Sequence, residues 1–253
     1  MGVRQTRERV RLRYTAWAAF IVCVLAVGAQ AQVSIGNLQS PDTPTVFWSQ
    51  VNTYVGLTPN MSFMFLASGT PGKDADHPSV VFGPNLDIAV LPFLTPHLKV
   101  NNPERSKYLT FRIGYRYVRN LYGANAMENN GVLELTPRIP LPRKFQIADR
   151  NRIDLRGLEK QFSWRYRNRL AIARSFQIRD FALTPYGEAE VFYNCETGQW
   201  TQYNYRFGVI TRFSPKIEVE TWFKRTTTIV QPIASVDVVG VKLILFFRTF
   251  GSN

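Results

Sequence analysis

The feature that most constrains this chain is a two-residue alternation of polar and apolar side chains, which recurs from residue 45 to the end. In WRYRNRLAIAR, residues 164–174, Arg165, Arg167 and Arg169 share one face, and mostly aromatic and aliphatic side chains share the other. This period is that of a β-strand, and no segment shows a convincing helical period. The chain is therefore predicted to be all-β.

Turn residues divide the alternation into eleven candidate strands. Their approximate ranges are 45–57, 60–68, 82–94, 108–120, 131–141, 145–157, 162–176, 182–194, 200–213, 217–229 and 236–250. Most are longer than a usual strand of about 5–6 residues, and many match the roughly 9–11 residues that cross a bilayer at a tilt.

The links between these segments differ at the two ends of the predicted sheet. Short turns at 58–60, 142–144 and 214–216 are all odd-numbered links, whereas the long polar links SGTPGKDADHPS and YGANAMENNG are even-numbered. Outer-membrane barrels have short periplasmic turns and long external loops. The third link, TPHLKVNNPERSK, is a long exception at the predicted periplasmic end.

We therefore expect residues 45–253 to form one domain, a transmembrane up-and-down antiparallel β-barrel. Bacterial single-chain barrels have even strand numbers. Residues 33–38 are a candidate for a further strand, so about 12 strands are predicted, with 10 as the fallback. Residues 32–44 are accordingly either an N-terminal periplasmic segment or the first strand.

The first 31 residues have the form of a cleavable signal peptide. Five arginines precede the apolar run TAWAAFIVCVLAVGAQA, and the final Ala-Gln-Ala suits signal peptidase, which predicts cleavage near Ala31. After residue 31 no apolar run approaches the length of a transmembrane helix. The expected location is the outer membrane of a Gram-negative bacterium.

Composition limits the chemistry that the exported chain can perform. Residues 1–31 carry a net +4, which leaves +9 of the total +13, and Cys195 as the single remaining cysteine cannot form an internal disulfide. The sequence shows no cluster with metal-ligand spacing, no phosphate-cradling glycine loop and no G-x-S-x-G. No cofactor is expected, and an enzyme is not favoured.

The charged faces of neighbouring candidate strands carry opposite signs, and this pattern persists along most of the chain. Ordinary cross-strand pairs on a solvated surface explain one such hairpin, but a continuous network favours a polar lumen. The predicted lumen residues are Arg112, Arg116, Arg150, Arg152, Asp154, Arg156, Arg165, Arg167, Arg169, Glu188, Glu190, Arg206, Arg212, Glu218, Glu220, Lys224 and Lys242.

The opposite faces carry aromatic residues near their ends, as the interfacial girdles of membrane barrels do. The predicted girdle residues are Tyr115, Tyr117, Trp164, Phe176, Tyr203 and Phe213. Asp149, Asn151 and Asn168 fall on the same predicted lipid-facing side. Either they lie near a rim, or a bulge shifts the phase of the strand.

An ordered set of segments resembles a bacterial family known only as a domain of unknown function and predicted to form outer-membrane β-barrels. It comprises Phe47-Trp48, DRNR at 149–152, RNRL at 167–170, PYGEAEVF at 185–192 and YNYRFGVITRFSPKIEVETWFKR at 203–225. The resemblance implies a fold and a compartment, with no assigned activity. Residues 240–250 also resemble the C-terminal signal that the barrel-assembly machinery recognises.

The favoured function is a structural barrel, or a narrow pore with an arginine-rich, anion-favouring lumen. One alternative is a lipid-modifying hydrolase or acyltransferase of the outer membrane, for which His77 and His97 are the only histidines available as a base. Another is a soluble periplasmic barrel that binds a small anion. Expected partners are outer-membrane lipid, the barrel-assembly machinery and anionic solutes; nucleic acid is not expected, because the arginines are dispersed over many strands.

Overall fold

Each alternating segment forms one long strand in a computed structural model, which describes residues 44–70, 79–92, 107–120, 127–158, 161–178, 181–230 and 234–248. The strands are β1 (Thr45–Thr58), β2 (Met61–Gly69), β3 (Ser79–Pro92), β4 (Lys107–Asn120), β5 (Met127–Leu141), β6 (Phe145–Leu158), β7 (Gln161–Arg174), β8 (Phe176–Ile178), β9 (Phe181–Asn194), β10 (Gln199–Ser214), β11 (Ile217–Thr228) and β12 (Ala234–Arg248). All the described residues belong to one compact unit. Among them, no helix is long and apolar enough to cross a membrane.

Neighbouring strands of the sheet are antiparallel, except that β1 pairs with β12 in parallel and so closes the sheet into a barrel. Eleven strands form the closed wall, and β8 pairs with β9 alone. When an up-and-down sheet has an odd number of strands, its first and last strands run the same way, so a parallel pair must close it. The prediction of an all-β up-and-down barrel of about 12 strands is confirmed.

The twelfth strand differs in origin from the predicted one. The candidate at 33–38 lies outside the described residues, as do the predicted signal peptide and residues 32–43. Instead, the predicted strand 162–176 is interrupted at Ser175, whose N–H donates to the Lys144 carbonyl at 3.2 Å. The three-residue β8 follows this break.

The three predicted short turns lie together at one end of the barrel, which we call the short-turn end. The turn Pro142–Lys144 is a single 3-10 turn in which Arg143 and Lys144 adopt φ of 59° and 65°. The opposite end, which we call the loop end, includes a short turn among its described residues, at 195–198, where Gly198 adopts φ of 66°. The chain enters β1 at the loop end and leaves β12 at the short-turn end.

Alternation divides each strand of the closed wall into an inward face, which is the more buried one, and an outward face. Around β12, β1, β2 and β3 the inward side chains form an apolar cluster consisting of Tyr54, Met64, Leu66, Val81, Ile244 and Phe246. Within it, the ring centres of Tyr54 and Phe246 lie 5.3 Å apart, and the two rings stack across the parallel β1–β12 pair, which we call the closing seam. The inward faces of β4–β7 and β9–β11 are largely polar or charged instead.

The outward face exposes large hydrophobic side chains on almost every strand. They include Phe63, Phe65, Phe82, Ile113, Leu133, Leu135, Leu170, Ile172, Phe207, Phe223 and Phe247. Soluble monomers rarely expose contiguous apolar patches larger than a few hundred Å². The outer wall of this barrel is thus more apolar than the surface of a typical soluble monomer.

One inward glycine provides the space for a large interior side chain. A Cβ added at Gly240 in β12 would lie 2.2 Å from the Trp222 indole in β11. Trp222 is buried, and Arg206 and Lys242 place their cationic groups 5.5 and 5.7 Å from its ring centre. This single ring thus joins the charged part of the interior to the closing strand.

We expect Gly240→Ala to destabilise the barrel, because the added methyl group overlaps Trp222 and overpacking of this kind costs about 1–3 kcal/mol. The measurement is the urea midpoint of unfolding of the detergent-folded protein, followed by tryptophan fluorescence. Gly157→Ala is the matched control, since its Cβ would lie 3.6 Å from the nearest atom, the Asn129 carbonyl oxygen. Equal midpoints for the two variants would show that the indole does not need this glycine.

Candidate functional site: the charged interior

The arginine-rich face of β7 points into the barrel. Arg165, Arg167 and Arg169 make ion pairs with carboxylates of β6 and β9, whereas Trp164 and Leu170 are exposed on the outer wall. This follows from the period of the strand, because residues two apart share a face.

A chain of carboxylates and guanidinium groups begins on β3. Asp87 accepts two hydrogen bonds from Arg112 of β4, from Nε at 2.6 Å and from Nη2 at 2.8 Å. Glu134 of β5 lies 3.8 Å from Arg112 and also 3.8 Å from Arg150 of β6. Three inter-strand steps around the wall are therefore connected by charge.

Glu190 of β9 is the meeting point of three arginines. Its Oε1 accepts from Arg150 at 3.0 Å and from Arg167 at 2.8 Å, and its Oε2 accepts from Arg169 at 3.1 Å. The Asn204 amide donates to the same Oε2 at 3.2 Å. Glu190 is only 3% exposed, so protein groups replace the water that a free carboxylate would bind.

The chain continues from β7 to β12. Arg169 contacts Glu188 of β9 at 3.0 Å, and Glu188 contacts Arg206 of β10 at 2.5 Å. Arg206 lies 3.6 Å from Glu220 of β11, which Lys242 of β12 contacts at 2.6 Å. The charge network thus extends from β3 around the barrel to the closing strand.

Asp154 of β6 is a second meeting point of three arginines. Its carboxylate is 2.5 Å from Arg152, 3.1 Å from Arg165 and 3.4 Å from Arg167, and Asp154 is only 1% exposed. Because Arg167 also contacts Glu190, the two meeting points belong to one network.

The predicted alternation of sign from strand to strand does not hold between β6 and β7. Arg150 faces Arg169, and Arg152 faces Arg167. Like charges directly opposite are destabilising, and here Glu190 of the next strand and Asp154 neutralise them. Alternation reveals which face a residue is on, but not which residue of the neighbouring strand it meets.

The structure places the predicted lumen residues as follows. Those in ion pairs are Arg112, Arg150, Arg152, Asp154, Arg156, Arg165, Arg167, Arg169, Glu188, Glu190, Arg206, Glu220 and Lys242. Glu218 is buried. Within the described part of the chain, Arg116, Arg212 and Lys224 make no ion pair; Arg212 donates to the Ser214 carbonyl, and Lys224 lies 5.8 Å from the Trp48 ring centre.

Several members of the network were not predicted. Asp87, Glu128, Glu134 and Arg138 all face inward. Tyr186 and Asn204, which alternation places on the charged faces of β9 and β10, also face inward, and Tyr186 donates a hydrogen bond to Glu220. The signal for two of them was present in VLELTPRI, where Glu134 and Arg138 alternate with exposed Leu133, Leu135 and Ile139.

The predicted girdle residues lie on outward positions, each in the half of the barrel nearer one of its two ends. Tyr115, Tyr117, Trp164 and Tyr203 lie in the half nearer the loop end, and Phe176 and Phe213 lie near the short-turn end. Other aromatic contacts accompany them. Phe181 meets Phe213 edge-on at 5.7 Å, and Tyr193 meets Trp200 at 5.2 Å.

The three polar residues on the outward face need neither a rim nor a bulge. The β6–β7 register is continuous, and Asn151 faces Asn168 near the middle of both strands. The Asn168 amide donates to Asp149 at 2.7 Å and to Asn151 at 3.1 Å, and Tyr166 donates to Asn151 at 2.6 Å. They form a polar cluster that satisfies much of its own hydrogen bonding.

Within the described residues, no group of three or more His, Cys, Asp or Glu is placed to hold a metal ion. His77 and His97, the residues on which the lipid-modifying alternative depends, lie outside the described residues. The charged interior is a network of paired ions that can hold neighbouring strands in register.

Comparison with known proteins agrees with the sequence resemblance. Residues 102–223 match the family described as Protein of unknown function (DUF2490). No curated protein matches the chain. The matched region contains most of the charge network, from Arg112 to Glu220, so the predicted resemblance to an uncharacterised family is confirmed and the chain is a β-barrel of unknown function.

We expect the buried ion pair Asp87–Arg112 to stabilise the barrel far more than the exposed ion pair Asp237–Arg225, although both pairs are bidentate. The Arg225 side chain is 53% exposed, whereas that of Arg112 is 7% exposed. Breaking a buried pair costs about 3 kcal/mol or more, and losing an exposed one costs less than about 1 kcal/mol.

The measurement is the free energy of unfolding in urea of Asp87→Asn and Asp237→Asn, each in the full exported chain folded in detergent. A larger loss for Asp237→Asn, or equal losses, would contradict the importance of the interior network.

Proposed function

We propose that this protein is an exported structural barrel of the bacterial outer membrane whose interior is closed by its own ion pairs. The observation that carries the proposal is the inverted distribution of side chains, with paired charges buried inside and large hydrophobic side chains exposed outside. Outer-membrane barrels have this distribution, with an apolar band outside and a polar interior.

The dimensions of the wall support a membrane position. Ten of its eleven strands have 12 to 16 residues, and β2 has nine. About 9–11 residues cross a bilayer at a tilt. By analogy with known barrels the short-turn end would face the periplasm, which puts the start of β1 at the external side.

The burial of the charges favours a structural role over that of an open pore. Asp154, Glu190 and Glu220 are 1%, 3% and 3% exposed, so solvent hardly touches the carboxylates near the centre. An open aqueous channel would leave such groups hydrated. On the inward faces of the described strands, cations outnumber carboxylates, so any passage that opens would favour anions.

The membrane proposal is tested by fractionation and by labelling from outside the cell. We expect the exported protein in the outer-membrane fraction, with a gel mobility that changes on heating. In a Cys195→Ser background, Glu196→Cys at the loop end should react in intact cells with a maleimide carried on a large polyethylene glycol. Lys216→Cys at the short-turn end should react only after the membrane is permeabilised, because both positions are exposed turns at opposite ends.

Recovery in the soluble periplasm would overturn the membrane proposal and favour the soluble anion-binding alternative. Labelling of Lys216→Cys alone in intact cells would keep the membrane position but reverse the orientation.

Planar-bilayer recordings test the closed interior. We expect no steady conductance from the purified barrel, because side chains occupy its centre, and any transient opening should prefer anions. A steady conductance would refute the proposed closed interior, and a preference for cations would contradict the proposed effect of the interior arginines.

A further inference from the structure

Arg116 differs from the other interior arginines of the central network. It points inward from β4, and its Cγ lies over Gly83, 3.0 Å from where a Cβ at that position would be. Its Nε is buried without an acceptor, and no carboxylate of the described residues pairs with it. Leaving a buried N–H donor of a guanidinium group without an acceptor is costly.

The surroundings of Arg116 provide further donors on the loop-end side of Asp154. The inward positions facing it on successive strands are Asn130, Arg156 and Ser163. Arg165 lies one inward position further along β7, and its Nε is likewise buried without an acceptor. Two unpartnered guanidinium N–H donors, of Arg116 and Arg165, are therefore close to one unpartnered acceptor, the Oδ1 of Asn130.

Charge in this region is unbalanced. Arg152, Arg165 and Arg167 already share the single carboxylate of Asp154, and Arg156 pairs with Glu128. Arg116 adds a further positive charge, on which Asp154 and Glu134 act without forming an ion pair and which Arg167 and Arg112 repel. An incoming anion would relieve the repulsion among these guanidinium groups.

The region is also within reach of solvent. The side-chain exposure rises from 1% at Asp154 to 26% at Arg165 and 31% at Arg156, two residues before the loop end of β6. A small anion can thus reach Arg165 and Arg156 from the loop end, whereas the buried carboxylate of Asp154 blocks further entry.

We propose that Arg116 and Arg165 form a binding site for a phosphate-class oxyanion on the loop-end side of Asp154, with Asn130 and Ser163 as neighbouring polar groups. Guanidinium groups suit this ligand because their planar array of N–H donors matches the oxygens of phosphate. The site goes beyond the structural role proposed above. It requires only the folded barrel, so it can be tested in detergent without reference to the membrane location.

The test is calorimetric titration of the full exported chain, folded in detergent, with inorganic phosphate at constant ionic strength. Arg116→Gln removes a proposed donor without breaking an ion pair, so the fold should survive, and phosphate affinity should fall at least tenfold. Arg212→Gln is the matched control, because it removes the same charge from an interior arginine near the short-turn end that is also outside the ion pairs. Its affinity should stay within twofold of the parent.

If Arg116→Gln and Arg212→Gln weakened phosphate binding equally, the proposed site would be refuted and a general effect of interior charge indicated. Absence of phosphate binding by the parent protein would also refute it. A second variant, Arg165→Gln, should weaken binding as well; unchanged affinity in either Arg116→Gln or Arg165→Gln would remove that residue from the site and refute the proposal. Competition with a short-chain phosphatidic acid identifies the source: stronger binding than phosphate supports a lipid headgroup, and weaker binding supports a free ion.

Discussion

The pairing of charges inside the barrel is the constraint on which the rest of the structure depends. Asp154 and Glu190 each hold three guanidinium groups, and both carboxylates are almost completely buried. Each ion would cost several kcal/mol if it were buried alone. A slip of one residue in β7 would turn all three of its central arginines outward, so the network fixes the register of β6, β7 and β9 together.

The closing seam depends on a different interaction. There the inward side chains are apolar, and Tyr54 of β1 stacks on Phe246 of β12. A parallel pair is slightly less stable per residue than an antiparallel one, so packing of large side chains behind the seam supports it. Trp222 connects the two regions, since its ring lies against Gly240 and under the cations of Arg206 and Lys242.

Sequence predicted the parts of the fold that depend on local period. Each of the eleven predicted segments corresponds to a wall strand, and the inward position of Arg165 follows from alternation alone. Closure was beyond this reasoning, because the parallel pairing of β1 with β12 joins residues almost 200 positions apart. The contacts of Arg150 were equally inaccessible, since it reaches past β7 to Glu190 on β9.

The polar cluster on the outer wall follows the same physical rule as the interior. Asn168 lies between Arg167 and Arg169, so the alternation that turns the arginines inward must turn it outward. In the membrane position proposed above, a polar group on this wall would cost free energy if it were alone. Asp149, Asn151 and Tyr166 supply its partners from the same two strands, so the cost is met by lateral hydrogen bonds without moving the backbone. Most charged groups withdrawn from water in the described part of this barrel are thus paired with one another. Arg116 differs because it makes no ion pair with a described carboxylate and its Nε is buried without an acceptor.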